Sequence, residues 1–195
     1  MQPANRNGSK NKIAVILAGG ESRRFGSNKA FAKIGDETFL EKIAATAGSL
    51  GFEIFLSVSD PEIYKHFSFK MLPDILPKEG PLQALYSALS QLHVPRVLLL
   101  PCDMPLTTSK IIEEMWHKSS RSDICLLQTS PLPGVYSRKT LPFIKKLLDL
   151  GKRDLQSLLE GPFCIKKIYS DFDSHININT RADFFKMLTK TQKTR

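Results

Sequence analysis

The sequence predicts an α/β protein with a three-layer α/β/α, Rossmann-like arrangement around a mostly parallel central sheet. Two segments, Ile13–Leu17 and Val97–Leu100, are apolar without alternation, which is typical of strands buried on both faces. These runs alternate with segments of helical periodicity, such as Phe39–Leu50 and Leu82–Leu92. Strands that alternate with helices form βαβ units, so we expect parallel strands covered by helices on both faces.

Apolar, β-branched and aromatic runs predict the strands, whereas apolar residues at helical spacing and capping residues predict the helices. Gly51 provides a C-cap for the first helix, and Thr107 or Thr108 provides an N-cap for a later one. The predicted strands are Ile13–Leu17, Glu53–Val58, Phe69–Leu72, Val97–Leu100, Ile124–Gln128, Pro133–Tyr136 and Ile165–Tyr169. The predicted helices are Phe39–Leu50, Pro61–Phe67, Leu82–Leu92, Thr108–His117, Arg138–Leu150, Leu155–Glu160 and Arg181–Leu188. We expect the strand at Ile124–Gln128 to be the one that turns antiparallel.

The length of 195 residues and the absence of repeats or linkers predict a single domain, at residues 13–188. Basic tails are predicted at residues 1–12 and 189–195. Seven of the nine net positive charges lie in residues 1–12 and 186–195, which contain no acidic residue. The body of the domain is therefore nearly neutral, which argues against a nucleic-acid-binding surface.

The three cysteines are far apart in the sequence and lie in apolar surroundings, so we expect buried, reduced thiols. The first twelve residues lack the apolar stretch of a signal peptide, and no apolar run approaches the length of a membrane span. These features predict a cytoplasmic protein that makes no membrane contact.

The segment IAVILAGGESRRFGSNK predicts a cradle for a polyphosphate. The strand is followed by Gly19 and Gly20, where bare backbone can direct N–H groups at phosphate oxygens. Arg24 and Lys29 add positive charge close by. The segment fits neither GxxxxGK[ST] nor GxGxxG, which argues against a P-loop NTPase and a Rossmann dehydrogenase. An ordinary strand-to-helix turn with surface cations is the alternative.

Two further segments place polar groups where open α/β sheets bind ligands, beyond the carboxyl ends of strands. Asp103 follows a wholly apolar strand, where a carboxylate can hold Mg²⁺ together with substrate phosphates or simply close a turn. Gly80 and Pro81 precede a helix whose N-terminus could receive an anion or part of a nucleoside, although a proline there needs no ligand.

These motifs, in this order, resemble those of the molybdenum cofactor guanylyltransferases between Ile13 and about Leu188. The opening LAGG, spacer, R[MF]G and lysine pattern is matched by Leu17, Ala18, Gly19, Gly20, Arg24, Phe25, Gly26 and Lys29. Later matches are Asp74 before GPL, Asp103 before Met-Pro, Arg153 in G-x-R-x-L, and Asn177 and Asn179 in N-x-N-T. Asn28 stands where the family has aspartate, Ser59 falls near a family asparagine, and Arg181 replaces a proline.

The resemblance implies the nucleotidyltransferase version of the fold and transfer of GMP from GTP to molybdopterin, giving the guanine dinucleotide and pyrophosphate. It implies nucleotide binding by Leu17, Ala18, Gly19, Gly20, Lys29, Asp74 and Asp103, catalysis by Lys29, Asp103 and Arg24, and Mg²⁺ on Asp103. It implies acceptor binding by Arg153, Asn177 and Asn179, and partner proteins that deliver or accept the molybdenum cofactor. The alternatives are a CTP-dependent cytidylyltransferase, another NTP-dependent nucleotidyltransferase and a non-catalytic, nucleotide-responsive binding module. The last alternative rests on Asn28, which loses a negative charge beside the triphosphate site, and on the changes at Ser59 and Arg181.

Overall fold

A mostly parallel sheet organises the chain, as the sequence predicts. The computed structural model describes residues 12–18, 28–58, 60–75 and 80–169, together with residues 178 and 183. Several predictions lie outside these residues: the roles of Gly19, Gly20, Arg24, Asn177 and Asn179, the helix at 181–188, and the tails apart from Lys12.

The described strands are β1 (Lys12–Leu17), β2 (Lys33–Ile34), β3 (Glu37–Thr38), β4 (Phe52–Val58), β5 (Lys70–Pro73), β6 (Arg96–Pro101), β7 (Ile124–Leu127), β8 (Ser130–Ser137) and β9 (Ile165–Ile168). The described α-helices are α1 (Phe39–Gly48), α2 (Pro81–Gln91), α3 (Ser109–Lys118), α4 (Leu141–Asp149) and α5 (Gln156–Leu159). Short 3₁₀ helices occupy Lys29–Phe31, Pro61–Tyr64, Ser119–Arg121 and Arg138–Thr140.

The main sheet has the strand order β5-β4-β1-β6-β8-β7-β9, and β2 and β3 form a separate antiparallel pair. Strand β8 runs antiparallel to both of its neighbours, β6 and β7, whereas β7 pairs in parallel with β9. The reversed strand is therefore β8, and the prediction that Ile124–Gln128 would be the antiparallel one was wrong. The physical reason is the tight connection at residues 128–129, because a hairpin reverses the strand that follows it.

The core lies on both faces of the sheet, as expected for a three-layer fold. Along β1, Ala14 and Ile16 pack in the cluster that includes residues of α1 and α3. Their neighbours Ile13 and Val15 pack on the opposite face with residues of α2 and α4. Successive side chains of a strand point to opposite faces, so an unbroken apolar run fits a strand covered on both sides.

Local capping chemistry fixes the beginnings of the helices that frame the sheet. Thr38 starts α1 with a capping box, in which its side chain accepts from the Glu41 N–H and the Glu41 carboxylate accepts from the Thr38 N–H. Thr108 caps α3 in the predicted way, by accepting from the Ile111 N–H. Helix α2 begins at Pro81, directly after Gly80. Gly80 has a φ of +86°, a backbone conformation that favours glycine.

The cysteines differ from the prediction in one respect. All three are free thiols, and Cys125 is buried, whereas Cys102 is partly buried and Cys164 is exposed where it precedes the edge strand β9. A strand at the edge of a sheet is covered on fewer sides, which explains why its flanking residue is accessible. Across the described part of the chain, no helix combines the length and apolar character that a membrane crossing requires.

Candidate active site

The candidate site lies at the carboxyl ends of β1 and β6, where the order of the strands reverses. Strands β4 and β5 lie on one side of β1, and β6 lies on the other side. Open α/β sheets bind ligands in the crevice that forms at such a switch point. Strand β1 ends here at Leu17, and the Cys102 N–H, just after β6, donates to the Leu17 carbonyl at 3.2 Å.

Lys29 and Asp103 meet at this switch point. Lys29 Nζ lies 3.5 Å from Asp103 Oδ2, and the two side chains are 12% and 20% exposed. Lys29 begins the 3₁₀ helix Lys29–Phe31, and Asp103 occupies the turn after β6. The structure thus brings together two residues that are 74 positions apart in sequence. Their roles in nucleotide handling stay predictions.

The Asp103 carboxylate has a partner for only one of its two oxygens within the described structure. Its Oδ1 atom is buried and has no hydrogen-bond partner within the described structure. Burial raises the pKa of the Asp103 carboxyl, whereas the nearby Lys29 charge acts in the opposite direction. A buried carboxylate with one oxygen paired and the other unpartnered is a fitting ligand for a hard cation, which prefers oxygen donors.

A divalent metal ion on Asp103 would need ligands beyond this carboxylate. The residues that the structure describes include no group of three His, Cys, Asp or Glu side chains positioned to hold a metal ion. Mg²⁺ usually binds to proteins through one or two carboxylates and completes its coordination with substrate phosphates and water. Asp103 fits that mode of binding.

A buried tyrosine links the two chain segments on either side of residues 19–27. Tyr64 Oη donates to the Ala18 carbonyl at 2.6 Å, and Asn28 Nδ2 donates to Tyr64 Oη at 2.7 Å. Burial raises the pKa of the Tyr64 phenol, and the hydrogen bond from Asn28 opposes that shift. Sequence reasoning missed Tyr64, because no motif marks it and it lies in a segment predicted only as a short helix.

Asp74 lies on the β4–β5 side of the crevice. It follows β5, and one of its carboxylate oxygens accepts from the Ser57 hydroxyl at 3.0 Å. Ser57 also accepts the Ala18 N–H at its backbone carbonyl, at 3.1 Å. Burial raises the pKa of the Asp74 carboxyl and the Ser57 hydrogen bond lowers it. Asp74 is therefore connected through Ser57 to the end of β1, and its role in nucleotide binding stays a prediction.

Two polar side chains of α2 lie close to the segment that contains Asp74, and the sequence did not predict that they face inward. Ser87 Oγ accepts from the Ile75 N–H at 3.0 Å, and the Gln83 carboxamide lies 3.4 Å from the same oxygen. Gln83 is buried, and its Oε1 atom has no hydrogen-bond partner among the described residues. Periodicity assigns these positions to a helix but does not indicate that polar groups face inward.

Arg153 makes contacts within the protein through both its backbone and its side chain. Its backbone carbonyl accepts from the Leu82 N–H at 3.2 Å, so it uses one of the free N–H groups at the start of α2. Its guanidinium donates to the carbonyls of Leu148, in the last turn of α4, and of Lys152, which lies beyond that helix. A Cβ atom on Gly80 would lie 2.8 Å from the Arg153 carbonyl oxygen. The contact therefore explains why glycine precedes α2, while acceptor binding by Arg153 stays a prediction.

Ile178 is the described residue between Asn177 and Asn179. Its N–H donates to the Asp103 carbonyl at 2.9 Å, and its buried side chain packs with Phe39 in a small apolar cluster. Ile178 is thus attached directly to the turn that contains Asp103.

The fold and this site together define a nucleotidyltransferase-type α/β protein. Residues 14–167 match the family described as MobA-like NTP transferase domain. The chain belongs to this family, which confirms the predicted resemblance and fold.

Individual relatives extend the comparison over almost the whole chain. A probable molybdenum cofactor guanylyltransferase of a Geobacillus species is 31% identical, with coverage of 92% of this chain and 100% of the relative. A protein of the same name from Flavobacterium johnsoniae is also 31% identical, with coverage of 85% and 90%. The crystal structure of molybdopterin-guanine dinucleotide biosynthesis protein A from Archaeoglobus fulgidus has a TM-score of 0.78 at 18% identity, with coverage of 93% and 99%. At that identity, the structural match supports the fold alone.

Proposed function

We propose that the protein transfers GMP from GTP to the terminal phosphate of molybdopterin, and forms molybdopterin guanine dinucleotide and pyrophosphate. The observation that carries the proposal is the Lys29–Asp103 pair at the switch point of the sheet, with the second Asp103 oxygen unpartnered. The names of relatives that match this chain over most of its length support the same reaction.

For this reaction the protein has to align the acceptor with GTP and neutralise the charge of the phosphates. The attacking phosphate of the acceptor is already anionic, so no general base is required. Lys29 would set a positive charge beside the triphosphate, near the end of β1, which Ala18 follows. Preorganised charges of this kind favour a phosphoryl-transfer transition state because they need no rearrangement during the reaction.

Asp103 is the residue that would hold Mg²⁺. Its unpartnered buried oxygen matches the preference of this ion for oxygen ligands. When bound, Mg²⁺ supplies charge neutralisation for the phosphate oxygens. The raised pKa of Asp103 is consistent with a carboxyl that is better accommodated beside a cation than alone.

Asp74 would contribute to recognition of the nucleoside. An ionised carboxylate accepts hydrogen bonds, and guanine offers N–H donors whereas ribose offers hydroxyl donors. Ser57 donates to one oxygen of Asp74, which fixes the orientation of that oxygen. Acceptor binding by Arg153, Asn177 and Asn179, delivery or acceptor partner proteins, and a cytoplasmic location remain predictions from the sequence.

The test is pyrophosphate release by the purified protein with Mg²⁺ and molybdopterin or its molybdate-loaded form. GTP, CTP, ATP and UTP are supplied in parallel, and Asp103→Asn serves as the inactive control. We expect release with GTP alone, accompanied by the guanine dinucleotide in the product. Release with CTP would assign the cytidylyl reaction instead. GTP binding in calorimetry without release under any condition would favour the non-catalytic binding module.

A further inference from the structure

The Tyr64 hydroxyl is the centre of a directed chain of hydrogen bonds. Asn28 Nδ2 donates to Tyr64 Oη at 2.7 Å, and Tyr64 Oη donates to the Ala18 carbonyl at 2.6 Å. A phenol has a single proton, and a backbone carbonyl can only accept. The direction of the chain is therefore fixed, and the residue at position 28 must be a donor.

The same asparagine also fixes the start of the helix that carries Lys29. Asn28 Oδ1 accepts from the Ala30 N–H at 3.1 Å and caps the 3₁₀ helix Lys29–Phe31. At the other end of that short helix, the Phe31 ring stacks on the Tyr64 ring with 5.3 Å between centroids. The residues on both sides of Lys29 are thus held by Tyr64, which is only 2% exposed.

Ala18 is held from two sides at the end of β1. Its N–H donates to the Ser57 carbonyl, and its carbonyl accepts from Tyr64. Tyr64 therefore connects the end of the central strand with the residue before Lys29. Two elements of the proposed triphosphate site, from different parts of the fold, share one buried hydroxyl.

We propose that Tyr64 is a positioning residue for nucleotidyl transfer, which holds Ala18 and Lys29 in register through a hydrogen-bond chain that requires asparagine at position 28. This inference rests on the proposed function. An aspartate at position 28 would have no proton to donate when ionised, so the single Tyr64 proton would have to serve two acceptors. One of the two connections would be lost.

Three variants and one matched control test this inference. Tyr64→Phe removes the connecting hydroxyl, Asn28→Asp removes the donor, and a double variant combines both changes. Tyr136→Phe is the control, because Tyr136 is also buried and also donates to a backbone carbonyl, that of Pro131, but in β8. Kinetics are measured on folded protein well below each melting temperature.

Tyr64→Phe is expected to lower kcat by about 10- to 100-fold, because misplacement of reacting groups is costly. The KM for GTP should change by less than about threefold, because the Lys29 charge is retained. Asn28→Asp should lower kcat by about tenfold in the wild-type background, but by less than about threefold in the Tyr64→Phe background, since the connection is already broken. Tyr136→Phe should keep wild-type kcat.

Tyrosine ¹³Cζ NMR supplies a readout that needs no acceptor. The chain has four tyrosines, and the Tyr64→Phe spectrum assigns the Tyr64 resonance. Asn28→Asp and saturating GTP with Mg²⁺ should each shift that resonance and leave the Tyr136 resonance in place.

The outcomes separate this inference from the proposed function. Normal wild-type transfer, with Tyr64→Phe indistinguishable from Tyr136→Phe, overturns the positioning role and leaves the function standing. Fully multiplicative losses in the double variant also overturn it. Absence of transfer by the wild type defeats the proposed function and the role of Tyr64 in transfer, whereas a GTP-dependent shift of the Tyr64 resonance would still support the hydrogen-bond chain as part of a nucleotide site. A Tyr64 resonance whose chemical shift changes with neither Asn28→Asp nor GTP overturns the inference.

Discussion

Asp103→Asn is predicted to abolish nucleotide transfer without destabilising the protein. The substitution keeps the shape of the side chain and removes its charge. Loss of the carboxylate that would hold Mg²⁺ should lower turnover by about 10³-fold, which is the upper range for removal of one transition-state-stabilising group. Pyrophosphate release under saturating GTP measures this loss directly.

The stability of the same variant follows from two opposing contributions. At 3.5 Å, the attraction between Asp103 and Lys29 amounts to about 5 kcal/mol for an effective dielectric constant of 20. The pKa of Asp103 is nevertheless raised, so the burial cost of its charge exceeds that attraction. The ionised carboxylate therefore lowers the unfolding free energy at neutral pH. A gain of 1 kcal/mol in the variant would raise Tm by about 2–4 °C in a chain of this size.

The raised pKa of Asp103 also predicts how the stability difference between the variant and the wild type changes with pH. A carboxyl whose folded pKa is raised destabilises the folded state above that pKa and has no such effect below its unfolded pKa of about 4. The excess stability of Asp103→Asn over the wild type should therefore be largest at neutral pH. It should fade as the pH falls through the raised folded pKa toward 4. Calorimetric melting without metal, from neutral pH to pH 4, measures the difference.

Asp123→Asn is a control in which a carboxylate of similar exposure has partners for both of its oxygens. Asp123 Oδ1 also lies 3.5 Å from a lysine nitrogen, that of Lys139, and its side chain is 21% exposed against 20% for Asp103. It precedes β7, at the amino end of that strand, whereas Asp103 follows the carboxyl end of β6. The other oxygen of Asp123 accepts from the Cys164 N–H. This variant should keep full turnover and lose about 1 kcal/mol of stability. A fall in Tm of more than about 4 °C in Asp103→Asn would refute the reasoning, because the ion pair would then outweigh burial.

Three further predictions concern neighbouring positions. Lys29→Ala should raise the KM for GTP by about 10- to 100-fold in steady-state kinetics, because a charge-assisted contact to phosphate is lost. Asp74→Asn should weaken GTP binding by about tenfold in calorimetry, because its carboxylate no longer accepts as an ion. Gly80→Ala should cost at least about 1 kcal/mol more than Gly51→Ala in urea denaturation, since both have positive φ but only Gly80 would clash with Arg153. Equal costs for the two glycines would contradict the clash.

The central strands were predictable because their burial is complete. The runs at β1 and β6 are apolar at nearly every position, and the structure places them side by side in the middle of the sheet. Strand β8 begins at Ser130, three residues before its predicted start. The sequence did not indicate this earlier start, because prolines such as Pro131 and Pro133 are unusual in strands. The pair β2 and β3 has two residues in each strand, which is too short for periodicity to be detected.

The candidate site was predictable only as a set of separate motifs. Lys29 and Asp103 each belong to a recognisable segment, and the βαβ connections bring the ends of those segments together. The sequence could not show that one oxygen of Asp103 stays unpartnered, or that the backbone of Arg153 occupies the start of α2. Both depend on long-range packing, in which a side chain and a distant backbone group meet through the tertiary fold.

Asn28 illustrates why a departure from a family pattern must be judged by its neighbours. From the sequence, the asparagine is a lost negative charge and an argument for a binding module without turnover. In the structure, its amide nitrogen donates to Tyr64 and its oxygen accepts from Ala30, so both ends of the side chain are used. Asp103 already provides a carboxylate beside Lys29, and a second one at position 28 would compete for the Tyr64 proton that Ala18 receives. The asparagine is therefore compatible with an intact transfer site, and it no longer counts in favour of the non-catalytic alternative.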